Sequence, residues 1–143
     1  MRILLITNDW LPKKGGISTY LTNLVSSVDH EFTIYAPSWA EGDDVINSSS
    51  SFFLNSKDTI KEISDIIKNK NIDIILHGSS NPQFLLIGKL DQISNINSPK
   101  NIKIPQFMIC HGAEFNVLNY IPLLRSVLKR NLNKLNKIFT HWY

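Results

Sequence analysis

The chain has 143 residues, 43% of them apolar and 19% charged, which suits one soluble globular domain with a real core. A net charge of +3 is too small for phosphate-driven nucleic-acid binding, which needs many clustered Lys and Arg, so no nucleic-acid partner is expected. No run approaches the ~20 apolar residues that span a bilayer, and the single cysteine, Cys110, can form no internal disulfide, so the reading is a cytoplasmic protein.

Ile3 to Thr7 is a continuous apolar run, as in a strand buried on both faces. Asn8 and Asp9 cut it off too early for a signal-peptide core. A loop follows to Gly15, marked by Pro12 and a glycine pair. From Gly16 the period changes, and Ile17, Tyr20, Leu21, Leu24, Val25 and Val28 recur at helical spacing. Phe32 to Ala36 reads as a strand ended by Pro37. Residues 38–56 are the least regular stretch, with a low-complexity serine run at 48–51 and Phe52-Phe53-Leu54 as an expected short edge strand.

Lys57 to Lys70 predicts a helix with Ile60, Ile63, Ile66 and Ile67 inward, then Ile72 to Leu76 a strand. Gln83 to Ile93 predicts a helix led by Pro82, and residues 94–103 a polar loop. Ile104 to Cys110 predicts a strand, Leu118 to Leu135 a helix, and Ile138 to Thr140 the start of one more strand. Strands alternating with helices imply right-handed crossovers onto a parallel sheet: an α/β, Rossmann-like, doubly wound single domain. The end at Trp142-Tyr143, directly after a strand, reads as a truncation.

Ligands of such sheets sit beyond the carboxyl ends of the strands, which singles out Asn8 to Gly16 and Cys110 to Glu114. Gly15-Gly16 opens a helix, where unpaired N–H groups and the helix dipole can hold an anion and glycine permits close approach. The alternative is that the two glycines simply make a tight turn. Neither the dinucleotide spacing nor the P-loop ending is present. His111-Gly112-Ala113-Glu114 puts an imidazole, a glycine and an acid at a strand end, either as a polar site at the sheet edge or as a capped loop with a satisfied histidine. Alternation along the strand turns Cys110 to the core when His111 faces the site, which disfavours a thiol nucleophile. His30, His77, His111 and His141 lack metal-pair spacing, so no metal site is expected, although His77 at a strand end could line the same cleft.

Thr7-Asn8-Asp9-Trp10-Leu11-Pro12-Lys13-Lys14-Gly15-Gly16-Ile17-Ser18-Thr19-Tyr20, with His111-Gly112-Ala113-Glu114, resembles the N-terminal domain of the family-4 retaining glycosyltransferases of the GT-B fold, nearest to the bacterial phosphatidylinositol mannosyltransferases. The resemblance runs along the whole chain, but only these two motifs are specific. It implies a nucleotide-sugar-dependent retaining hexosyltransferase without metal, cofactor or covalent protein nucleophile. It implies that Gly15 and Gly16, with Asn8 at the head of the loop, lie against donor diphosphate and acceptor. His111 would contact the transferred sugar as the catalytic-site histidine, and Glu114 would orient the loop or bind acceptor. The expected partners are a nucleotide sugar and a sugar, lipid or other hydroxyl acceptor.

The resemblance also implies a C-terminal nucleotide-binding domain, supplied by further sequence or by a second chain. Without it this acceptor-side half is expected to be inactive. Arg125, Lys129 and Arg130 on the last helix read either as a solvated cationic face or as a peripheral membrane contact at the inner face. The competing functional reading is a stand-alone ligand-binding or regulatory Rossmann-like module without catalysis.

Overall fold

The structure, a computed structural model, describes residues 1–52, 56–80, 82–97, 103–111 and 122–141. Among the described residues, six strands form one sheet in the order β3-β2-β1-β4-β5-β6, every described pairing parallel. The strands are β1 (Arg2–Ile6), β2 (Glu31–Ala36), β3 (Val45–Asn47), β4 (Ile74–His77), β5 (Gln106–His111) and β6 (Lys137–His141). The helices are α1 (Gly16–Ser27), α2 (Lys57–Lys70), α3 (Phe84–Asn97) and α4 (Pro122–Leu132). The doubly wound α/β reading therefore holds.

Strand alternation sorts the core onto two faces. Leu4, Ile6, Tyr35 and Ile75 pack with Ile63 and Ile67 of α2 and Leu86 and Leu90 of α3. On that same face Met108 and Cys110 pack with Phe84 and Ile87 of α3, edged by Val127 and Leu132 of α4. Leu5, Ile34, Ala36 and Ile109 point the other way, onto Leu21 and Leu24 of α1.

Several boundaries differ from the sequence reading, each for a local reason. A third strand, Val45–Asn47, runs through the stretch read as irregular and pairs with β2. It is short and only partly buried, so it carries no alternation signal. The expected edge strand at Phe52 is absent there: Phe52 sits in an exposed bend, and residues 53–55 lie outside the described residues. β4 starts at Ile74 because the Asp73 carboxylate accepts the Arg2 backbone N–H at 3.0 Å and flanks the sheet start. β5 begins after Pro105, which has no N–H to donate, and runs on to include His111. α3 continues past Ile93 to Asn97, and α4 ends at Leu132, short of the expected Leu135.

Candidate functional site

The strand order fixes where a ligand would sit. The chain leaves β1 toward β2 and β3 on one side, then returns to place β4 on β1's other flank. The crevice of an open parallel sheet lies at this reversal, outside the carboxyl ends of β1 and β4. The described loop residues there are Thr7 to Gly15 and Gly78 to Ser80.

The first loop is held rigidly. The Thr7 hydroxyl accepts the Asp9 N–H at 3.0 Å and donates to the Asp9 carbonyl at 3.1 Å. Trp10 is buried and donates its indole N–H to the Glu41 carbonyl at 3.2 Å. Glu41 N–H in turn donates to the Leu11 carbonyl at 3.0 Å. Gly42, at φ 143°, makes the turn that brings Glu41 back, in a backbone region that favours glycine. Asn8 is buried at the head of the loop.

Gly15 and Gly16 stand apart from this bracing. Gly15 has φ −166°, extended backbone open to any residue, and Gly16 is the first residue of α1. A Cβ on Gly15 would meet only the Ser18 hydroxyl, at 3.9 Å, and one on Gly16 would meet nothing within 4 Å. The tight-turn alternative thus loses its footing, since neither backbone conformation nor packing within the described residues requires a glycine here. The Ser18 hydroxyl accepts the Gly15 N–H at 2.9 Å and donates to the Gly15 carbonyl at 3.1 Å. The helix start carries no side-chain cap, so helix-end N–H groups remain to meet water or a ligand.

Gly78 is the opposite case. A Cβ there would lie 2.9 Å from Leu21 Cδ1 and 3.1 Å from Thr7 Cβ, so packing of α1 and β1 against the end of β4 requires a glycine. Its N–H donates to the Ile6 carbonyl at 2.9 Å, and its carbonyl lies 2.9 Å from His111 Nε2. A carbonyl only accepts, so Nε2 carries the proton and Nδ1 is the bare nitrogen.

His111 ends β5 on the α1 face of the sheet, 7% exposed, with its ring edge-to-face against Tyr20 at 5.4 Å. Nδ1 is buried and has no hydrogen-bond partner among the described residues. The glycine loop and the imidazole therefore belong to one end of the sheet, joined through Tyr20 of α1. Cys110 faces the opposite way into the α3 side of the core, as alternation requires. Glu114, with Gly112 and Ala113, lies outside the described residues.

His77 does not line this crevice, which corrects the expectation from sequence. It is fully buried on the other face of the sheet, 3.0 Å from Gln106 Oε1. Gln106 donates its amide to the Ile87 carbonyl at 3.4 Å, so its oxygen accepts and His77 Nε2 is the protonated nitrogen. Burial pushes the His77 pKa down to about 4, against a smaller rise from the Gln106 hydrogen bond. Among the described residues its Nδ1 also has no partner. An unpaired nitrogen alone therefore does not mark a binding histidine, and what sets His111 apart is the sheet face it shares with α1 and the glycine loop.

Two serines that sequence reasoning passed over, Ser79 and Ser80, are fully buried in the loop after β4 at the same reversal. The Ser79 hydroxyl donates to Gln83 Oε1 at 2.5 Å, which ties the loop to the start of α3. Among the described residues no three His, Cys, Asp or Glu side chains gather closely enough to hold a metal ion.

No protein-family model matches the chain. Among curated proteins it is 30% identical to a GDP-mannose-dependent alpha-(1-6)-phosphatidylinositol monomannoside mannosyltransferase of Mycobacterium tuberculosis, over 90% of this chain and 35% of the relative. The chain is a relative of glycosyltransferases. The mannosyltransferase of the same name from Mycolicibacterium smegmatis is 28% identical over 59% of this chain and 25% of its own length. A monoacylated-substrate mannosyltransferase of Corynebacterium glutamicum is 26% identical over 64% of this chain and 27% of its own. The chain thus spans between a quarter and about a third of the length of these mannosyltransferases.

Proposed function

We propose that this chain is the acceptor-side, N-terminal Rossmann-like half of a retaining, nucleotide-sugar-dependent hexosyltransferase of the GT-B fold, family 4. The observation that carries the reading is Gly16. It opens a helix at the topological switch point, a Cβ there would meet nothing within 4 Å among the described residues, and nothing else described in the fold asks for a glycine there. A ligand that must reach the backbone accounts for it. The mannosyltransferase relatives support a GDP-mannose-type donor and a phosphatidylinositol-type acceptor.

In this reading the acceptor hydroxyl attacks the anomeric carbon from the side the diphosphate leaves, and the departing phosphate takes the hydroxyl proton. No metal, cofactor or protein nucleophile takes part. The chain's own residues position and stabilise. Helix-end N–H groups at Gly16 face the diphosphate. The bare Nδ1 of His111 accepts a hydrogen bond from a hydroxyl of the transferred sugar, once Tyr20 yields room at the ring. Asn8 and Glu114 serve as further donor or acceptor contacts. A nucleotide-binding half, in further sequence or a second chain, completes the enzyme, which works at the cytoplasmic face of a membrane. Among the described residues no helix is long and apolar enough to cross one.

The test joins this chain to the portion of the Mycobacterium tuberculosis relative that it does not match. Mannose transfer from GDP-mannose to a phosphatidylinositol monomannoside is then followed with EDTA present. Transfer should persist in EDTA. His111→Ala should lower it about tenfold or more, the worth of one lost buried hydrogen bond, with an unchanged circular dichroism spectrum. Full turnover in a folded His111→Ala assembly removes the histidine from the site, and dependence on added metal overturns the mechanism.

A further inference from the structure

On the sheet face opposite Gly16 and His111, α3 and α4 enclose a cleft of about 440 Å³. Gly88, Lys89 and Gln92 line it from α3, and Arg130, Asn131 and Lys134 from α4 and the turn after it. These spacings of three to four residues put each set on one side of its helix. The cleft is built around a glycine that packing requires: a Cβ at Gly88 would lie 2.7 Å from Asn131 Oδ1. Asn131 is buried and donates its amide to the Phe84 carbonyl at 2.9 Å, which locks the two helices together through neutral groups. The Lys134 ammonium folds in over the Gly88 carbonyl at 3.5 Å.

Three cations thus line one cleft, with no acidic residue in the lining among the described residues. Among the described residues neither Lys89 nor Arg130 makes an ion pair. Asp91, the acid of α3, is taken by Lys103. The clustering belongs to a wider asymmetry. Residues 1–81 hold seven Lys and Arg against ten Asp and Glu, and residues 82–143 hold eight against two. A cleft with apolar walls, here Leu85 and Val127, concentrates the field of its charges and draws anions in. The Arg fork, two ammonium groups and the Gln92 amide match the oxygens of phosphate groups.

We propose that this cleft binds a small molecule carrying two or more phosphate charges, at a site separate from the sugar-transfer crevice. A discrete molecule is favoured over a bilayer surface because the cations line a recess of ligand size.

Inorganic pyrophosphate serves as the probe, titrated into the isotope-labelled chain at fixed ionic strength and read by amide resonances. Saturable shifts are expected at Gly88, Lys89 and Arg130. Arg130→Ala with Lys134→Ala should weaken binding about tenfold or more, from the loss of charge-assisted hydrogen bonds. Gln92→Glu, an exposed change that sets a carboxylate in the lining, should weaken it in the same direction with the fold intact. Shifts confined to the Gly15–Gly16 region, or affinity unchanged in all three substitutions, overturn the proposal. So does a chain that ignores pyrophosphate but binds vesicles of equal parts phosphatidylcholine and phosphatidylglycerol through Arg130.

Discussion

At the scale of single residues, Gly16 and Gly78 carry opposite lessons. Gly16 costs the helix conformational entropy and fills no packing role, so Gly16→Ala should raise stability by about 0.5–1 kcal/mol while weakening ligand binding. Urea melts with and without nucleotide sugar on the completed enzyme would measure both signs, and a loss of stability would mean the fold does use that glycine. His77 supplies the pH dependence. Its folded pKa of about 4 lies below the ordinary 6.5, so the unfolded chain binds the extra proton between those values. Its contribution is whole above pH 6.5 and drains away as pH falls toward 4, by on the order of 3 kcal/mol. Unfolding midpoints at pH 7 and pH 5 should differ accordingly, and His77→Asn should flatten the difference. Sequence placed His77 at a strand end but not on a sheet face. The parity with Ile75, which faces α2 and α3, was there to be used. The same parity did turn Cys110 to the core and His111 the opposite way.

At the scale of elements, the ends of β1, β4 and β5 are tied by one chain of bonds. Gly78 donates to Ile6 and accepts from His111. Gly78→Ala would press a methyl into Leu21 and Thr7, with overpacking on the order of 1–3 kcal/mol, and would shift the carbonyl that orients the imidazole. Thermal denaturation should show the loss, and a neutral substitution would mean α1 can move aside. Long, periodic elements such as α1 and α2 were legible because their apolar positions recur over three turns or more. β3 was not, because three partly exposed residues beside Asp43 and Asp44 owe their strand conformation to pairing with β2. The loops flanking the crevice were legible as sites only through the rule for parallel sheets. The bracing of the first loop by Trp10 and Glu41 depends on contacts distant in sequence.

At the scale of the whole molecule, the sheet separates two kinds of polar recess. One end of the α1 face gathers the glycine loop and His111, and the α3–α4 side gathers uncompensated cations. Overall charge concealed the second, because an excess of three acids before residue 82 offsets half of the excess of six cations after it. The burial of Cys110 has a practical consequence. The chain's sole thiol is 2% exposed against Phe84 and Met108, out of reach of bulky alkylating reagents in the folded state. A reporter group can therefore be attached through a cysteine introduced at either recess without first removing the native one, and the two recesses can be watched separately in an otherwise unaltered protein.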